Sequence, residues 1–161
     1  AIYRYYRGQL RRLYTEISIS NAICFAPRQP LAYFADTATQ KIMRQALSPK
    51  GGWPEGDAEL WLDLTAENRH PDGAVVDIEG CVWNAQWGAS RIARYGPDGR
   101  FLSAIDFPTP QISCPAFGGD RLQTLYATSA AIGLSEIDTQ AGHSFCCETG
   151  YRGQPEHQVI L

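Results

Sequence analysis

The chain has 161 residues and a formal net charge of −3, with 44% hydrophobic and 19% charged residues, a composition that buries a core and does not stay disordered. Its mild acidity supplies no basic stripe for a nucleic-acid backbone, and no apolar run approaches the roughly 18 residues a membrane span needs, so neither is expected as a partner. Fifteen glycines and ten prolines favour short strands joined by tight turns over long helices.

The apolar and β-branched runs are brief and recur between turn signals. Residues 2–6 and 10–14 predict a leading hairpin. Residues 21–26, 31–35, 41–47 and 59–62 predict four antiparallel strands, with Gly51-Gly52-Trp53-Pro54 inside a longer third connection. The order repeats at residues 74–76, 81–83, 91–95 and 101–105. There Asp77-Ile78-Glu79-Gly80, Trp87-Gly88-Ala89-Ser90 and Gly96-Pro97-Asp98-Gly99 each carry a glycine suited to a tight turn. It returns at residues 113–117, 124–128, 144–147 and 157–160.

Tandem four-strand units of about 40 to 50 residues are the signature of β-propeller blades. The expectation is an all-β chain of about three and a half blades, spanning residues 1–16, 20–63, 71–106 and 112–161, the opening hairpin supplying the last two strands of a blade. Propellers close with about four to eight blades. The chain is therefore expected to be part of a longer propeller whose N-terminal half lies elsewhere, in preference to one closed by pairing two copies.

The first strand of each blade lies nearest the propeller axis, so its leading residues can converge from several blades. Aligning the units on Phe25, Val76 and Phe117 places Asn21, Asp72 and Ser113 in register, each four residues ahead of its anchor. An Asn carbonyl and an Asp carboxylate suit a hard cation such as calcium or magnesium, and the carboxylate also suits zinc. Pro-Asp-Gly is also a common turn sequence. Pro97-Asp98-Gly99 lies between outer strands and reads as a turn, whereas Pro71-Asp72-Gly73 leads into an inner strand and carries both readings.

Other chemistry finds little support. The five cysteines form no Cys-x-x-Cys pair, which argues against a structural zinc site, and their odd number fits a reducing, cytoplasmic location. None of His70, His143 and His157 sits in a recognisable nucleophile context, so no Ser-His-Asp triad is expected. His70 lines a pocket mouth or sits in a solvated loop.

The run from His70 to Ala85 resembles the Pro-Asp-Gly-x-x-x-Asp-x-Glu-Gly-x-x-Trp-x-Ala segment of the gluconolactonase family, also called the senescence-marker-protein-30 or regucalcin family. Ser20-Asn21-Ala22, with Ala22 in place of the usual glycine, and Tyr33-Phe34-Ala35-Asp36-Thr37 are similar to two further segments. Cys114-Pro115-Ala116-Phe117-Gly118-Gly119, Leu125-Tyr126-Ala127-Thr128-Ser129 and Tyr151-Arg152-Gly153 continue the likeness in family order.

The resemblance implies a six-bladed β-propeller that hydrolyses a sugar lactone with a divalent metal ion (calcium, zinc, magnesium or manganese). It makes Asn21 and Asp72 metal ligands and Asp72 the general base. A glutamate ligand and sugar-contacting Arg and Asn side chains belong to the missing N-terminal half. The family's Thr-Ser-Ala-Arg-x-Gly-Leu stretch appears as Thr128-Ser129-Ala130-Ala131-Ile132-Gly133-Leu134, without the arginine. A non-catalytic calcium-binding or regulatory propeller and a protein-interaction scaffold stand as alternatives.

Overall fold

The structure is a computed structural model that describes residues 1–134 and 138–158. It contains strands β1 (Ile2–Tyr6), β2 (Gln9–Tyr14), β3 (Ser20–Phe25), β4 (Leu31–Asp36), β5 (Lys41–Ala46), β6 (Glu59–Asp63), β7 (His70–Val76), β8 (Val82–Trp87), β9 (Arg91–Tyr95), β10 (Phe101–Asp106), β11 (Ile112–Gly118), β12 (Thr124–Ser129) and β13 (Ser144–Glu148). A short 3-10 turn, Thr37–Thr39, follows β4. The strands form a two-stranded hairpin, two four-stranded meanders, β3-β4-β5-β6 and β7-β8-β9-β10, and a three-stranded sheet, β11-β12-β13. Each of these sheets pairs strands that are neighbours in sequence, antiparallel throughout.

The core lies between sheets because alternate side chains of a strand face opposite ways. Val82, Ala93 and Tyr95 pack toward the preceding meander with Tyr33, Ile42 and Leu64, while Trp83, Ala85 and Ile92 pack toward the following sheet with Ile112, Leu125 and Ala127. The β8 strand is therefore buried on both faces and reads as a nearly continuous run, Val-Trp-Asn-Ala-Gln-Trp.

A fourth strand is expected at residues 157–160. His157 and Gln158 are not in a strand, and residues 159–161 lie outside the described ones. The chain after β13 instead turns across the far ends of the inner strands. The Ile78 amide donates to the Arg152 carbonyl and the Gly153 amide to that of Leu122. Gln154 Nε2 donates to the Phe25 carbonyl at 2.7 Å, and His157 meets the Phe25 ring edge-on. Gly153 is required there, since a Cβ would overlap Phe117.

Candidate active site

The β7 strand packs against both β3 and β11. Each of the three carries a register shift near its leading end: between Asn21 and Cys24, between Pro71 and Ala74, and between Ile112 and Cys114. A bulge bends the strand and re-aims side chains, as is common beside active sites. The shift in β3 puts Ala22 at φ +54°, a left-handed conformation that explains why glycine suits this position. The β7 shift contains Asp72 itself, so Pro71-Asp72-Gly73 is strand with a bulge. The other copy is a turn: the Gly96 amide donates to the Arg100 carbonyl, and the Asp98 carboxylate accepts from the Arg100 amide.

One hydroxyl links the first expected ligand, Asn21, to the residue before the second. Asn21 Nδ2 donates to Thr37 Oγ1 at 2.9 Å, and Thr37 Oγ1 donates to the Pro71 carbonyl at 2.6 Å, next to Asp72. The Asn21 side chain thus lies beside β7, with its Nδ2 committed and its Oδ1 left to accept. The fully buried Asn84 holds the bulge itself, its Nδ2 donating to the Asp72 and Gly73 carbonyls at 3.2 Å each. Its Oδ1 meets no donor among the described residues. Thr37 and Asn84 were not singled out from the sequence, although Thr37 closes the Asp-Thr pair of a quoted segment.

Burial pushes the Asp72 carboxyl up to about 6, with only the Gly73 amide pulling the other way. A half-buried carboxylate with no cationic side chain acting on it and an amide oxygen left free on the adjacent strand are donors of the kind that suits a hard divalent cation. Asn21 and Asp72 would hold one. Ser113, the third residue of the register, pairs its hydroxyl with Thr128 Oγ1 at 2.9 Å. His70 Nε2 lies 3.4 Å from Gln40 Nε2, which can donate to it. Ala131 is exposed, and the neighbouring Ile132 backbone is clamped at both ends by the buried Gln111.

A second group, Asp77, Glu79 and Cys81, brings three potential ligand atoms within 4.8 Å of one another at the other end of β7. Its positive charge is already in place. Asp77 is fully buried; its Oδ1 accepts from the Glu79 and Cys81 amides, and its Oδ2 from Trp83 Nε1 and from Arg94 Nε and Nη2. Arg94 also pairs with Glu79 and stacks on the Tyr151 ring at 3.8 Å. Five donors on one carboxylate leave it little room for a metal ion, and the network instead pins the Asp77–Gly80 turn to β9 and the tail.

Antiparallel sheets packed face to face, with polar side chains gathered where their inner strands begin, define an all-β, propeller-like protein. Residues 1–131 match the SMP-30/Gluconolactonase/LRE-like region, and the chain belongs to that family. It is 38% identical over 140 residues to L-arabinolactonase of Azospirillum brasilense, an alignment covering 84% of this chain and 45% of that protein. It is 36% identical over 116 residues to 6-deoxy-6-sulfogluconolactonase of Pseudomonas putida, covering 71% and 39%. Among solved structures, the calcium-binding protein regucalcin of Agrobacterium tumefaciens superposes with a TM-score of 0.94 at 36% identity, over 99% of this chain and 55% of that one. The chain spans about half the length of the curated relatives it matches.

Proposed function

We propose that the complete protein is a sugar-lactone hydrolase built on a six-bladed propeller, with Asn21 and Asp72 contributing to a divalent-cation site at the axis and Asp72 acting as general base. The observations that carry this reading are the Asp72 carboxyl, raised to about 6 by burial, and the hydrogen bonds that run from Asn21 through Thr37 to the carbonyl of Pro71, the residue before it. The lactonase names of the relatives support the substrate class. A further carboxylate would come from residues outside this chain.

Hydrolysis joins a water oxygen to the lactone carbonyl carbon, breaks the ring carbon–oxygen bond and leaves a hydroxy acid. A bound divalent cation supplies a Lewis acid for the carbonyl and lowers the pKa of water. Asp72 takes the water proton on a carboxylate oxygen, which requires it to be ionised; nearby positive charge lowers its pKa and secures that state at neutral pH. The protonated carboxyl can then return the proton to the leaving ring oxygen. Asn84 keeps the Asp72 backbone in place during both transfers by holding its carbonyl. The five free cysteines accord with a cytoplasmic location, and among the described residues no helix is long and apolar enough to cross a membrane.

The test is a pH-indicator assay on a panel of five- and six-membered aldonolactones, with the complete protein stripped by chelator and then resupplied with calcium, zinc, magnesium or manganese. Hydrolysis that disappears on stripping and returns with one cation supports the proposal. The superposition on a calcium-binding protein favours one second reading, a non-catalytic calcium-binding role. Calcium binding with no lactone turned over would establish that alternative.

A further inference from the structure

We infer that Thr37 is a positioning residue, whose hydroxyl sets the orientation of the Asn21 amide and through it the protein's affinity for a divalent cation. The inference rests on the ligand role of Asn21 proposed above and concerns a residue that never touches the cation.

A backbone carbonyl can only accept, so the single proton of Thr37 Oγ1 is committed to Pro71 at 2.6 Å. Oγ1 then faces Asn21 with a lone pair and takes a proton from Nδ2 at 2.9 Å. A flipped Asn21 amide would set its Oδ1 against that lone pair with no proton between them. The main chain of β7 thereby selects, through one hydroxyl, the rotamer of a side chain on β3. This leaves Oδ1 as the free end of the amide, the atom able to ligate a cation. The same two bonds hold the leading end of β3 against Pro71, the residue before Asp72.

Thr37 is well held for this task. Its amide donates to the Ile19 carbonyl at 3.0 Å, docking the turn on the residue before β3. The Asp36 carboxylate accepts from the Ser18, Ile19 and Ala38 amides at 2.9, 2.9 and 3.2 Å, bracketing Thr37 on both sides. The β-branched threonine also has fewer χ1 choices than serine, so little freedom is lost in placing its hydroxyl.

The experiment titrates Ca²⁺ and Zn²⁺, each alone, into the complete stripped polypeptide by calorimetry, with circular dichroism to verify folding. Removing an outer partner of a metal ligand typically costs about 10- to 100-fold in affinity. Thr37→Val, which keeps the shape and loses both hydrogen bonds, is expected to fall in that range, and Thr37→Ser to stay within about threefold of the parent because it keeps the hydroxyl. In an Asn21→Ala background, Thr37→Val should have no further effect, since the two act as one unit. Parental affinity in Thr37→Val, or an undiminished second loss in the Asn21→Ala background, overturns the inference. If Asn21→Ala weakens binding and Thr37→Val does not, the ligand assignment stands and only the role of Thr37 fails. If Asn21→Ala itself binds as the parent does, the ligand assignment fails and the role of Thr37 falls with it. Should Thr37→Val not fold, Thr37→Ala set against Thr37→Ser makes the same comparison.

Discussion

Gly73 lies against Cys114 so closely that a Cβ added to it would sit 2.7 Å from Cys114 Sγ and 2.9 Å from its Cα, with the Ser113 carbonyl at 2.8 Å. Two of those three atoms are backbone and cannot rotate away. Gly73→Ala must therefore push β7 from β11 at the residue next to Asp72. Overpacking of this kind costs about 1–3 kcal/mol. Chemical denaturation should show that loss, while Gly150→Ala, where a Cβ meets open space, stays within about 0.5 kcal/mol of the parent. Equal stability of the two variants would mean that this close approach does not exist in solution.

Asp72→Asn keeps a neutral oxygen and removes the base. Loss of general-base help typically lowers turnover about 10²–10⁴-fold. The variant is expected to lose turnover in that range at saturating cation, and by a larger factor than it loses cation affinity, both measured on the same samples. Wild-type turnover in Asp72→Asn would remove Asp72 from the chemistry.

The same residue makes a prediction about the cation-free protein. The folded state raises the Asp72 carboxyl from its ordinary 3.8 to about 6. It therefore holds this proton more tightly than the unfolded chain does. A raised carboxyl pKa leaves stability unaffected below about 3.8 and subtracts from it progressively as pH rises toward 6, after which the loss is complete. Cation-free Asp72→Asn should thus melt above the parent at pH 7 to 8, with the gap closing near pH 4. A gap that widens on acidification would contradict the burial of this carboxyl.

Arg94→Met strands the buried Asp77 charge. Breaking a buried pair by removing one partner costs about 3–5 kcal/mol. The variant should lose stability on that scale. In Asp77→Asn the number of bound divalent cations should be unchanged, because the group of Asp77, Glu79 and Cys81 takes its positive charge from Arg94. Loss of one bound cation equivalent in Asp77→Asn would show that the cluster binds metal after all.

Sequence alone carried the all-β character and the order of most strands, because alternation and turn residues act between near neighbours. Residues 91–95 were legible as a strand from Arg-Ile-Ala-Arg-Tyr and are β9. The start of β7 was not legible: the pattern shows only residues 74–76, whereas the strand begins at His70. A bulge interrupts the period of two that reveals a strand. Hence one Pro-Asp-Gly is strand and the other a turn, a difference that depends on what packs beside each.

Asn21 and Asp72 stood out as candidates because they hold corresponding places in repeated units and lie in quoted family segments. Their surroundings could not be read in the same way. The Thr37 to Pro71 hydrogen bond spans 34 residues, and the Gln154 to Phe25 bond spans 129. The salt bridge from Arg94 to Asp77 links β9 with the turn after β7. Each of these depends on how whole strands are stacked, and the energy that chooses among stackings is the burial of side chains such as Trp83, Ile92 and Leu125 between sheets. That burial is non-directional, so local sequence determines which segments extend, and only the packed structure decides which hydroxyl meets which carbonyl.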